Sequence, residues 1–100
     1  MTIKISDQSF DGPFSSSNDL MNKSGIYVVL YKNSSGTYSV LDVGESEDVK
    51  ERIETHDRSD CWKRNSKGDI YFAAFYVDET NRMSIESKIR QRYDPVCGKK

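Results

Sequence analysis

The chain predicts an α+β domain: a small antiparallel β-sheet flanked by helices, in the core order β-β-α-β-α. Two observations carry the sheet. Apolar runs lie on either side of Asn33-Ser34-Ser35-Gly36, which has the composition of a hairpin turn, and a third run covers Asp69–Val77. A further observation carries the helices: apolar residues recur at helical spacing after the hairpin and again after the third run.

Ahead of the core, Thr2–Ser6 alternates weakly and predicts a short edge strand. Asp11-Gly12-Pro13 reads as a turn, and Asn18–Asn22 as a short helix burying Leu20 and Met21. Residues 1–24 are taken as an extension and residues 25–100 as the core domain. From Gly25 the pattern becomes regular. Ile26–Leu30 is an unbroken apolar run of the kind found in strands covered on both faces. Alternation puts Tyr27, Val29 and Tyr31 on one side of it. Thr37–Val43 returns as the second arm of the hairpin. Ser46, followed by Glu47 and Asp48, is an N-cap signal with acids that the helix dipole favours. Val49 and Ile53, four apart, predict a helix from about Glu47 to about His56. Asp57–Lys67 is polar and reads as a loop anchored by Trp62. After the third strand, Ile85, Ile89 and Tyr93 make one stripe of a helix over about Asn81–Tyr93, which stops before Pro95.

One hundred residues make one small domain. With 35% hydrophobic and 31% charged residues, the composition is that of a folded soluble chain rather than a disordered one. No apolar run nears the roughly 20 residues needed to cross a bilayer, and Met1–Phe10 lacks the basic and apolar regions of a secretory leader. A cytoplasmic location is the expectation, and Cys61 and Cys97 then read as free thiols. No Cys-x-x-Cys spacing supports a zinc site with His56. The net charge of −1 argues against a protein that coats nucleic acid through bulk charge. Positive charge gathers locally, however, in Arg58, Lys63, Arg64 and Lys67, and again in Arg82, Lys88, Arg90, Arg92, Lys99 and Lys100. Such patches either meet phosphate or are simply solvated.

The residues that could carry chemistry are spread along the core: Gly25-Ile26-Tyr27, Asp42-Val43-Gly44, Arg52, His56 and Glu86. Arg52 and His56 are four apart, which on a helix gives a permanent cation and a titratable ring on one side, beside Val49 and Ile53. A planar guanidinium suits phosphate oxygens. The alternative for this pair is an ordinary exposed couple. Glu86 borders the apolar stripe of the last helix, where a carboxylate needs a cation such as Arg82 or Arg90 if it is covered.

In order and spacing this set resembles the GIY-YIG nuclease family, over residues 25 to about 98. The resemblance implies a β-β-α-β-α nuclease fold and a metal-dependent endonuclease acting on nucleic acid, DNA in particular. It implies catalytic roles for Tyr27, Asp42, Arg52 and His56, with Tyr27 helping to activate water and Arg52 stabilising charge. It further implies that Glu86, set in Ser84-Ile85-Glu86 and followed by Asp94-Pro95, holds Mg²⁺ or Mn²⁺. The chain departs from the family at three points. Asp42 stands where the family has a second tyrosine; a carboxylate there could serve only as a base or a metal ligand. Glu45 adds a second acid close by. Pro95-Val96-Cys97-Gly98 lacks the asparagine that closes the family pattern. Three functions follow as expectations: a nuclease, a module of the same fold that binds nucleic acid or a protein without cutting, and an unrelated small interaction domain.

Overall fold

Residues 1–97 are described in a computed structural model, and their strands form one five-stranded antiparallel sheet. The first hairpin is β1 (Thr2–Ile5) and β2 (Gln8–Phe14); the second is β3 (Gly25–Lys32) and β4 (Tyr38–Ser46). Strand β5 (Ile70–Tyr76) lies between the hairpins, giving the order β1-β2-β5-β3-β4. Helices α1 (Val49–Glu54) and α2 (Ser59–Asn65) follow β4, and α3 (Glu79–Tyr93) follows β5. The α+β class and the antiparallel sheet are those expected. Among the described residues, no helix is long and apolar enough to cross a membrane.

Four expectations are corrected. Asp11-Gly12-Pro13 is no turn but lies within β2, where the register slips between Asp11↔Ala74 and Phe14↔Phe72. Gly12 takes φ +121 in that bulge, a position where a strand tolerates a proline. The real turn is Ser6-Asp7, with φ of 50 and 67, the two left-handed residues of a tight hairpin turn built here without glycine. Residues 17–19 form a single 3-10 turn; Leu20 is buried but Met21 is 40% exposed. Helix α1 is only six residues long and is capped by Asp48, whose side chain accepts from the Glu51 amide, so His56 lies beyond its end. Finally, the segment read as a loop contains α2.

The cysteines are also not free thiols. Cys61 in α2 and Cys97 after α3 form a disulfide, their Cα atoms 6.0 Å apart and 36 residues apart in sequence.

Alternation along β3 divides the core into two layers. Tyr27 and Val29 join Leu41, Val49, Ile53, Trp62 and Ala74 on the side covered by α1 and α2. Ile26, Val28 and Leu30 join Val43, Ala73, Phe10 and Ile89 on the side covered by α3. A register shift between Val29 and Leu30 lets both Leu41 and Asp42 face the α1–α2 layer, because β4 carries one residue more than its partner there. The outer edge of β4 is covered: the Cys97 amide donates to the Leu41 carbonyl at 2.8 Å, and the Arg90 guanidinium donates to the Val43 carbonyl. An edge strand blocked in this way cannot template pairing with another chain.

Ile89 is the one fully covered residue in α3, so it anchors the helix. Ile89→Ala is expected to cost about 2–5 kcal/mol in urea unfolding. Met83→Ala, two turns earlier and 68% exposed, is expected to stay within about 0.5 kcal/mol of wild type. Equal losses at both positions would mean that α3 is not docked through Ile89.

Candidate functional site

The site is a chain of polar contacts wrapped round the β4 edge, and its centre is Asp42. This carboxylate is 0% exposed. Its Oδ2 accepts from Arg58 Nε at 2.8 Å and from Trp62 Nε1 at 2.8 Å, while Oδ1 accepts from Arg58 Nη2 at 3.2 Å. Arg90 Nη2 lies 3.5 Å from Oδ1. An ionised carboxylate offers about four lone-pair positions, and here four donors on three side chains face them. Arg58 and Trp62 reach it together because they are four apart at the start of α2, on one side of that helix.

Tyr27 and His56 form the second part. Register sets Tyr27 directly opposite Gly44, and a Cβ on Gly44 would lie 2.1 Å from the Tyr27 hydroxyl. The glycine therefore makes room for the phenol. The Tyr27 hydroxyl is 2.5 Å from His56 Nε2, and both residues are covered, at 1% and 6% exposure. The backbone N–H of Arg58 donates to His56 Nδ1 at 3.0 Å. A neutral ring whose Nδ1 accepts must carry its proton on Nε2, so His56 donates to the Tyr27 oxygen. Arg52 lies close enough for its positive charge to act on the Tyr27 hydroxyl.

Burial dominates the titration of both groups. It pushes Tyr27 up to about 12, assisted by the charge of Asp42 and opposed by Arg58 and Arg52. It pushes His56 down to about 4, assisted by the positive charges of Arg52 and Arg58 and opposed by Asp42 and Asp57. The tyrosine is thus held as phenol and the histidine as neutral imidazole. Asp57 stands 3.3 Å from His56 Nδ1 and 3.4 Å from Arg52, out in solvent.

Glu86 belongs to α3, on the other layer. Its carboxylate is 3.9 Å from Arg90 Nε, and it joins Met83, Arg90, Asp94 and Pro95 in lining an open groove of about 520 Å³. Arg90 connects it to Asp42. All five residues singled out in the sequence therefore belong to one connected network, but Tyr27, Asp42, Arg52 and His56 meet on the α1–α2 side while Glu86 joins from the other layer through Arg90. Glu45, the second acid near the glycine, is bound by Arg82, which also donates to Ser24 Oγ at 2.9 Å. Gly98, where the family pattern expects its ending, lies outside the described residues, as do Lys99 and Lys100.

Glu86 offers a divalent cation a single carboxylate, with a guanidinium 3.9 Å away, and among the described residues no three His, Cys, Asp or Glu side chains gather. Mg²⁺ held by one carboxylate would need substrate phosphate oxygens as well. The residues that sequence reasoning undervalued are Arg58, Trp62 and Arg90. The four-residue spacing of Arg58 and Trp62 was a signal, but it is informative only once residues 59–65 are known to be helical. Compared with known proteins, the chain matches no family model, no curated protein and no solved structure.

His56 is the only histidine, so its ring can be followed without ambiguity. Its titration is expected near pH 4 by NMR. Since the unfolded chain binds that proton near pH 6.5 and the folded chain does not, stability is full above about 6.5 and declines as pH falls towards 4, at up to about 1.4 kcal/mol per pH unit. His56→Gln is expected to flatten that slope; an unchanged slope would assign it to other groups. Gly44→Ala is expected to destabilise by about 1–3 kcal/mol or more through the clash with Tyr27, measured by urea unfolding against Gly36→Ala as a positive-φ control with open space around it.

Proposed function

We propose that this chain is a GIY-YIG-like module that binds nucleic acid, DNA in particular, without hydrolysing it. The observation that carries this reading is the commitment of Asp42. The residue at the second tyrosine's position is buried with both oxygens bound, so it has no lone pair for a water proton and no face for a metal. The remaining pair fares no better as a base. Tyr27 is held as phenol, and His56 already carries a proton on the nitrogen that faces it. Binding is supported by Lys63, Arg64 and Lys67, exposed on α2 and just beyond it, beside the partly exposed guanidinium of Arg58. Sequence-independent phosphate contacts need only such cations.

A nuclease is the second reading, favoured by one observation: Tyr27 is hydrogen-bonded to His56, and the charge of Arg52 acts on both. Under that reading Glu86 would hold Mg²⁺ or Mn²⁺, and Arg90 would have to move off it.

Supercoiled-plasmid nicking with Mg²⁺ or Mn²⁺ separates the two. Wild type is expected to nick no faster than Glu86→Gln, and to bind DNA with an affinity that falls steeply as salt rises. Replacing Lys63, Arg64 and Lys67 together by alanine is expected to weaken binding by about tenfold or more. Nicking that Glu86→Gln abolishes would overturn the proposal in favour of the nuclease. Absence of any salt-sensitive binding would remove nucleic acid as the partner.

A further inference from the structure

We propose that the Cys61–Cys97 disulfide is a reducible latch that keeps α2 closed over the Tyr27–His56 pair, and that a dithiol reductant opens it. Helix α2 is too short to hold itself. Seven residues fall well below the length at which an isolated helix persists, and Arg58 at its N-cap makes no side-chain capping bond. Trp62 is its only buried residue. Three ties therefore fix it: the Trp62 ring against His56 and Phe72, the Arg58 and Trp62 bonds to Asp42, and the disulfide. The far end of the disulfide is itself anchored, because the Cys97 amide is bound to the Leu41 carbonyl next to Asp42.

What α2 covers gives the latch its consequence. The His56 and Trp62 ring centroids are 4.7 Å apart, and the His56 ring also meets the Tyr27 ring edge-on at 5.5 Å. Lifting α2 takes away the indole and the Arg58 amide that accounts for His56 Nδ1. Tyr27 and His56 would then meet solvent, with Arg52, Asp57 and Asp42 as their remaining charged neighbours. This holds whether the opened site binds nucleic acid or does something else.

The chemistry favours attack at Cys61, which is partly exposed while Cys97 is covered. A thiolate of the reductant bonds to Cys61 Sγ, the S–S bond breaks, and Cys97 leaves as a thiolate that takes a proton from solvent. The second thiolate of the reductant then attacks its own sulfur in the mixed disulfide and releases Cys61. Two cysteines are reduced and one dithiol becomes a disulfide. The Asn65 amide donates towards both sulfurs, at 3.4 Å to Cys61 and 3.9 Å to Cys97, which stabilises the developing thiolate.

The test compares the full-length protein in its oxidised form, reduced with dithiothreitol, and as Cys61→Ser without reductant. Reduction and the substitution are each expected to raise the His56 titration point by about one unit or more, towards the value of a solvated imidazole. Both are also expected to speed hydrogen exchange at the Trp62 and Ser66 amides by about tenfold or more, while β3 and β5 amides stay protected. Identical His56 titration and exchange in all three samples would overturn the latch. So would loss of protection throughout the sheet, since the disulfide would then be a staple of the whole domain.

Discussion

A fully buried carboxylate that has lost its water must find its hydrogen bonds inside the protein, and Asp42 imposes that demand on everything around it. It takes Arg58 and Trp62 from α2 and draws Arg90 in from α3, so one side chain on β4 fixes elements on both layers of the sheet. Desolvating such a charge costs several kcal/mol, and only near-complete pairing offsets it. The same pairing closes the α1–α2 side. With Arg58 held, its backbone amide is set against His56, which in turn fixes the tautomer facing Tyr27. Short helices that would not persist alone become parts of one arrangement.

The division of the core explains how the resemblance and the geometry come apart. Tyr27, Gly44, Arg52 and His56 gather on the α1–α2 side of the sheet. The acid at position 42 then ties that gathering to structure instead of leaving it open to solvent. Glu86 stands on the far layer with Arg90 between it and the rest. Position 42 supplies an ion-pair partner, and Arg58, Trp62 and Arg90 around it satisfy that charge. The exposed cations of α2, Lys63 and Arg64, lie outside this closed network.

Much of the fold was legible because its signals are local. Long β-branched runs, a polar turn and an apolar stripe at helical spacing are written within a few residues, so β3, β4, β5 and α3 could be read directly. The misses are places where the deciding partner is distant. Ser6-Asp7 adopts a turn usually marked by glycine, and Gly12-Pro13 sits in a strand because β5 pairs alongside it. Residues 59–65 look like loop until Trp62 finds Asp42 and Cys61 finds Cys97. The five candidate site residues were picked out by their order and by a family resemblance, and the structure joins them in one network. Their chemistry was not legible, because the layer that Asp42 faces depends on a one-residue bulge in β4 that no periodicity announces. Nor could spacing show that Arg90 would stand between Glu86 and the others.

The central claim is that Asp42 and Arg58 are a coupled buried pair on which α2 depends. A double-mutant cycle in urea unfolding, with Asp42→Asn, Arg58→Met and the two combined, measures that coupling directly. Each single change should cost about 3–5 kcal/mol by stranding its partner. The double should cost less than the sum by about 2 kcal/mol or more. Single losses below about 1 kcal/mol that simply add would contradict the account, because Asp42 would then hold nothing in place.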